Sequence, residues 1–423
     1  MLAFNIEWQN DRHVPGKGRL RNAELPGDWR LQVGDDGDGN RLLNSNPVLW
    51  AFAGDVRGRT VLDAGCGTGY LAKKLHDRGD DDAELRTIAD EHVDLVISND
   101  GLMDTPDRPS RLHERAAARL GSRHPLQEKN TMQIGISLLN NWGIKDVQAL
   151  VDLATRAEAL GFASVWVHDH VFNAGHVFRR IGHKPYYEPL TLLSYVAART
   201  ERVSLGTSVL VLPYHNPIRL AKTAATLDVL SGGRLILGVG VGAVAPESEA
   251  LGSPYAERGA ITDEAIAVMK ALWTKDDPSF AGKYSRFSGM PFSPKPLQQP
   301  HIPVLIGGNS RAAIRRAVRL GNGWHPLAIS PEVLRQGIRD LHEQAQAAGR
   351  DVAEIPVSLS IPVGPSSAQR AALGTAPGEI VQTIQAYADL GVQMLAIAGH
   401  TDQLAEIVPA MDLLAREVLP AFQ

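Results

Sequence analysis

The sequence predicts an α/β chain in two parts: a (β/α)₈ TIM barrel over residues 131–423, preceded over residues 1–130 by an incomplete Rossmann-like segment. Three observations predict it. The 423 residues exceed one average domain. From Met132 onward, short apolar runs alternate with amphipathic stretches, and the alternation repeats eight times. Before Met132 one strand–glycine turn–helix unit stands out, without the strands that would complete its sheet.

Composition bounds the function. Hydrophobic residues make up 44% and charged residues 21%, ordinary for a soluble globular protein with a sizeable core. The formal net charge of -4 argues against nucleic acid or an anionic membrane as the main partner. Cys66 is the single cysteine, so no internal disulfide can form. The start "MLAFNIEWQNDRH" shows no signal peptide, and no uncharged apolar run reaches the roughly 18 residues of a membrane span. A cytoplasmic protein acting on a small molecule is expected.

Residues 1–46 are polar and turn-rich. Asp36, Asp38 and Asn40 alternate like the start of a calcium loop, but Arg41 and Pro47 occupy its sixth and twelfth positions, which reads as a solvated turn. In "TVLDAGCGTGYLAKKL" a strand ends at Asp63. Gly65, Gly67 and Gly69 then allow a tight turn, and a helix starting at Tyr70 aims free N–H groups at it. A dinucleotide-type sheet needs a second strand ending in an acid about 20 residues on. The region there, "RGDDDAELRTIADEH", is acidic and lacks an apolar strand. "VDLVISND" supplies one further strand, and "RPSRLHERAAARLGSRHPLQEKN" supplies none.

The glycine turn resembles motif I of class I S-adenosylmethionine-dependent methyltransferases, and "VDLVISNDGLMDTPD" resembles the strand and loop that follow the adenine site in that family. The resemblance covers about half a domain. It implies a truncated, poorly packed segment that has lost methyl-donor binding; a working methyltransferase would need strands from elsewhere.

In the second part the strand candidates are "QIGISLL", "SVWVHD", "VSLGTSVLVL", "LILGVG", "IPVLIGG", "GWHPL", "VSLSIPVG" and "QMLAIA". Continuous apolar strands imply a parallel sheet covered on both faces. Each is followed by a helical pattern, from "VQALVDLATRAEALG" to "LAEIVPAMDLLAREV", and Gly161, Gly321, Gly349 and Gly391 stand where a glycine ends a helix. Trp166, between two valines, reads as core. An open sheet of this length is the alternative, but eight units favour closure.

A barrel does its chemistry at the C-terminal ends of its strands. There the sequence gathers Asn140 and Asn141, His168 to His170, Ser208 with Tyr214 and His215, the run Gly238 to Gly242, Gly307 to Ser310, Trp324 with His325, and Gly399 with His400. Singly, each has a structural reading: a hydrogen-bonding histidine, a tight turn, a helix cap. Together they favour a phosphate-bearing cofactor. No metal site is expected.

"RAEALGFASVWVHDHV", "ERGAITDEAIAVMKALWT" and "IPVLIGGNSRAAIRRAVRLGNGWHPL" resemble the luciferase-like monooxygenase family, closest to its branch that uses the deazaflavin coenzyme F420. The resemblance implies hydride transfer between F420 and a small organic substrate, with flavin mononucleotide (FMN) and oxygen activation as the alternative, and a chain that pairs as a homodimer. It implies catalytic roles for Asp169 and His170, His170 moving a proton beside the ring. It implies a non-prolyl cis peptide at Ser208–Val209 that buttresses the ring. Cofactor contacts from Gly240, Gly242, Glu247, Gly307, Gly308 and Asn309 are also implied. Ala243 stands where members that oxidise sugar alcohols carry glutamate, which argues against that reaction. The long stretch "FNAGHVFRRIGHKPYYEP" reads as a substrate lid or as a surface loop.

Overall fold

The computed structural model describes residues 132–399 and 401–422 in full and, before them, the backbone of five short strands. The chain divides into two compact units, Met1–Pro109 and Ser110–Gln423. The expected boundary at 130/131 therefore falls inside the second unit, on residues outside the described set.

In the second unit eight parallel strands close into a barrel: β1 Gln133–Ser137, β2 Ser164–Val167, β3 Ser204–Val211, β4 Leu235–Gly240, β5 Val304–Gly307, β6 Gly323–His325, β7 Val357–Pro362 and β8 Val392–Ala398. Each pairs with the next in chain order, and β8 closes on β1 with Ile136 opposite Ile397. The expected eightfold alternation is thus realised strand by strand. The strands are buried almost throughout, as a sheet covered on both faces requires.

Trp166 fills the barrel interior. A Cβ on Gly206 would lie 2.2 Å from its ring, and one on Gly135 would lie 2.7 Å from its indole nitrogen. Its Nε1 donates to Ser164 Oγ at 2.8 Å, so the buried indole N–H is satisfied. Ile236, Leu305, Met394 and Ala396 complete this layer.

The outer helices begin where side-chain oxygens can cap free N–H groups: Asp146, Glu188, Asn216, Ser310 and Ser330 each accept from the first turn of the helix that follows. Gly161, Gly349 and Gly391 take positive φ, as chain reversal after a helix asks. Gly321 does not; its φ is -89°. Glycine is needed there for space, because a Cβ would meet Ile306 Cγ1 at 2.7 Å and the Ala317 carbonyl at 3.1 Å.

The first unit corrects the sequence reading twice. Glu7–Asn10 pairs antiparallel with Gly18–Arg21 inside the stretch read as turns. Thr60–Asp63 is flanked by two parallel strands, Glu84–Leu85 and Leu95–Ile97, although the acidic stretch around residue 84 carries no apolar pattern. Pairing is made by backbone groups, so two residues suffice without an apolar run. Asp36, Asp38, Asn40, the glycine turn at 64–69 and Cys66 lie outside the described residues. No helix among the described residues is long and apolar enough to cross a membrane.

Candidate active site at the barrel mouth

A cavity of about 540 Å³ opens at the C-terminal ends of the strands, a size suited to a cofactor and small substrate. One wall is built by a bulge in β3. Pairing with β4 shifts register between Thr207 and Leu210, and the Ser208–Val209 peptide is cis, as the resemblance implies. Val209 projects toward β4 and β5. A Cβ on Gly240 would lie 2.7 Å from Val209 Cγ2, and one on Gly307 would lie 2.7 Å from Val209 Cγ1. Those two glycines line the cavity, yet what requires glycine is the neighbouring valine. Gly242, at φ +79°, likewise leaves room for Val211 and Tyr214. Gly308 and Asn309 line the rim, and the Asn309 amide ties it to Leu327 by bonds to the Leu327 N–H and carbonyl, both 2.9 Å.

His170 follows β2 and lines the cavity. Its Nδ1 lies 2.6 Å from Glu247 Oε2, while Glu247 Oε1 accepts the N–H groups of Val171 and Phe172 at 2.7 and 3.0 Å. Burial alone would raise the Glu247 carboxyl, but the bonds from His170 and these backbone groups outweigh it and hold it below its ordinary value. An ionised carboxylate only accepts, so Nδ1 carries a proton and donates it to Glu247. Nε2 makes no hydrogen bond with the described residues. Glu247 does not line the cavity: it stands behind His170, on the short helix Ala245–Ala250, and is 1% exposed. Its carboxylate is engaged by the imidazole and the loop backbone.

Asp169 faces the other way. Its Oδ2 accepts the Val211 N–H at 2.9 Å and His215 Nε2 at 2.8 Å. Burial works to lower the His215 pKa, but the bond to Asp169 and its charge prevail and raise it. Asp169 lines the cavity with this carboxylate oxygen already engaged, anchoring the end of the β3 bulge. Asn140 clamps the start of the same loop, accepting the His168 N–H and donating to the carbonyls of His168 and Tyr187.

Beneath the mouth lies a row of imidazoles and hydroxyls. His168 Nδ1 donates to the Ser208 carbonyl at 2.6 Å and its Nε2 meets Ser137 Oγ. Ser208 Oγ bonds His325 Nε2, and His325 Nδ1 bonds Ser358 Oγ, each at 2.8 Å. The His325 ring stacks on Trp166, centroids 5.3 Å apart. Burial pushes His168 down to about 4 and His325 down to about 3. Both are neutral in the folded protein. Their contribution to stability is complete above about 6.5, their ordinary value, and is lost as the pH falls toward the depressed values. Stability should therefore drop between pH 6.5 and 5, where most carboxylates stay ionised, by up to about 1.4 kcal/mol per group per pH unit. Thermal melts across that window check this; a flat profile would contradict it.

The stretch between β2 and its helix covers the mouth. It folds a short helix, His176–Ile181, and His176, Arg180 and Tyr186 line the cavity while Phe178 is exposed. The lid alternative is the one its geometry fits. Sequence reasoning missed Trp142, Ser360 and Arg370, which also line the cavity; Ser360 lies on β7, while Trp142 and Arg370 are brought in by loop paths that carry no pattern. Asn141 Oδ1 and Tyr186 OH are buried without a hydrogen-bond partner among the described residues, which suits a cavity that receives a polar ligand. Ser310 is spent on its helix, accepting the Ala313 N–H at 3.2 Å. His400 lies outside the described residues. No cluster of three or more His, Cys, Asp or Glu among the described residues could hold a metal ion.

Comparison with known proteins bears on this site. The family model described as luciferase-like monooxygenase matches residues 127–406. The F420-dependent glucose-6-phosphate dehydrogenase of Intrasporangium calvum is 28% identical over 337 residues, 65% of this chain and 94% of that protein. The FMNH(2)-dependent dimethylsulfone monooxygenase of Pseudomonas putida is 34% identical over 169 residues, 39% of this chain and 46% of that protein. Among solved structures, monooxygenase RslO1 from Streptomyces bottropensis superposes with a TM-score of 0.60 at 24% identity, covering 69% of this chain and 100% of that one, a likeness of fold. A family match running through nearly the whole barrel leaves one assignment: the chain belongs to the luciferase-like monooxygenase family, whose members are F420- or flavin-dependent oxidoreductases and monooxygenases.

Proposed function

We propose that the chain is an F420-dependent oxidoreductase that moves hydride between the deazaflavin and a small organic substrate, with His170 moving the accompanying proton. The observation that carries this reading is the His170–Glu247 pair, which leaves Nε2 as the free basic atom at the cavity wall. When bound, the deazaflavin supplies the hydride acceptor or donor. The Ser208–Val209 bulge and the rim at Gly240, Gly242, Gly307, Gly308 and Asn309 would hold it. His170 takes or gives a proton at Nε2. Glu247 fixes the tautomer and stabilises the imidazolium once it forms. Asp169 positions the bulge through Val211.

Glu247→Gln keeps the shape and removes the charge. We expect turnover to fall about 10–100-fold with F420 affinity unchanged, and the acid limb of the kcat profile to move to lower pH as the imidazolium loses its counter-charge. An unmoved profile would take Glu247 out of the mechanism.

Ala243 lines the cavity without a carboxylate, which argues against carrying over the sugar-phosphate substrate named for the Intrasporangium relative. The second reading, an FMN-dependent monooxygenase, is favoured by the Pseudomonas relative. Two assays separate them: anaerobic reoxidation of reduced F420 against a panel of unsaturated and carbonyl acceptors, and oxygen uptake with reduced FMN. The proposal expects the first to proceed and the second to stay at the protein-free rate; the reverse selects the monooxygenase. Residues 1–130 carry no methyl-transfer chemistry in this reading, so calorimetric titration with S-adenosylmethionine should show no saturable binding.

A further inference from the structure

The cavity wall carries two guanidinium groups that the proposed chemistry does not use. Arg180 comes from the short helix after β2, and Arg370 from the segment after β7. The strand order is β5-β6-β7-β8-β1-β2-β3-β4, so β8 and β1 separate the two arginine-bearing loops, and the glycine wall on β4 and β5 stands across the barrel from them.

Arg180 is held in place. Its Nη2 donates to the Asn141 carbonyl at 3.0 Å and its guanidinium lies 5.0 Å from the Trp142 ring centroid. Neither Arg180 nor Arg370 has a carboxylate partner among the described residues. Two carboxylates at the site are engaged elsewhere, Glu247 on His170 and Asp169 on His215. Burial lowers the Arg180 pKa; Tyr186 opposes this, and the Arg370 charge adds to it, so the two guanidinium groups act on each other at the same wall. Tyr186 OH, buried and unpartnered, belongs to the same wall. Guanidinium forks bind carboxylate and phosphate oxygens through paired charge-assisted bonds.

We propose that Arg180 and Arg370 form an anion clamp that holds the carboxylate or phosphate of the substrate, across the mouth from the glycine wall. This rests on the reading above that the cofactor lies over that wall. A cofactor also carries anionic groups, so the test must separate the two sources. Full-length protein loaded with F420 is titrated calorimetrically with inorganic phosphate, as wild type and as Arg180→Gln, Arg370→Gln and the double variant. F420 affinity is measured for each.

The expected result is phosphate binding weakened about 5-fold in each single variant and at least 20-fold in the double, with F420 affinity within 2-fold of wild type, on the scale of charge-assisted bonds. Arg180→Lys should recover part of the loss, which a folding defect would not allow. Unchanged phosphate binding in the double variant overturns the clamp. Loss of F420 affinity in the variants also overturns the proposal, because the arginines then hold the cofactor's own anion. If F420 does not bind wild type at all, the proposed function fails separately, and the same phosphate titration on unloaded protein still decides the clamp.

Discussion

Replacing His170 with alanine should lower turnover by about 10²–10⁴-fold while F420 binds within a few-fold of wild type. The size follows from the role. Nδ1 is committed to Glu247 at 2.6 Å, so Nε2 is the atom left to exchange a proton with the substrate, and alanine removes it with no neighbour able to substitute. His176 packs edge-on at 5.3 Å from the His170 ring, but burial lowers its pKa, and no ionised carboxylate is bonded to it. Cofactor affinity should hold because the bulge is fixed from behind by Asp169 and Val211, independently of His170. Steady-state kinetics with a parallel binding titration check both halves. Unchanged turnover would remove His170 from the mechanism, and lost binding would make it a cofactor ligand.

Gly240→Ala should cost about 1–3 kcal/mol of stability and weaken F420 binding at least 10-fold. The added methyl would sit 2.7 Å from Val209 Cγ2, well inside contact distance. The valine must move, and it is part of the cavity wall proposed above to hold the ring. The same reasoning makes the effect reversible: Val209→Ala in the Gly240→Ala background vacates the contested space and should restore much of the stability. Denaturant titrations of the two single variants and the double variant measure the coupling directly. Additive losses would show that Gly240 serves something other than Val209.

The barrel was legible because its signal is global. Eight apolar runs, each buried on both faces, leave little choice of architecture, and the residues at their C-terminal ends must share one rim. Asp169, His170 and Ser208 were marked by their place on that rim, and the catalytic pair and the cis Ser208–Val209 peptide by the family resemblance. What the sequence could not tell is where a side chain turns once it arrives. Glu247 follows the glycines by a few residues and reads as a cofactor ligand, yet one turn of helix carries its carboxylate behind the wall onto His170. Gly240 and Gly307 read as room for a phosphate, yet they make room for Val209. Arg370 carried no signal, since the loop that delivers it has no period to read. The pair Glu84–Leu85 escaped for a related reason: backbone pairing in so short a strand leaves no mark on side-chain pattern.

The central claim is that this barrel mouth holds a deazaflavin beside His170. It is tested most directly by fluorescence titration of the full-length protein with F420 and, in parallel, with FMN. Saturable binding of F420 is expected, with FMN at least 10-fold weaker. Tighter binding of FMN, or no saturable binding of F420, would contradict it.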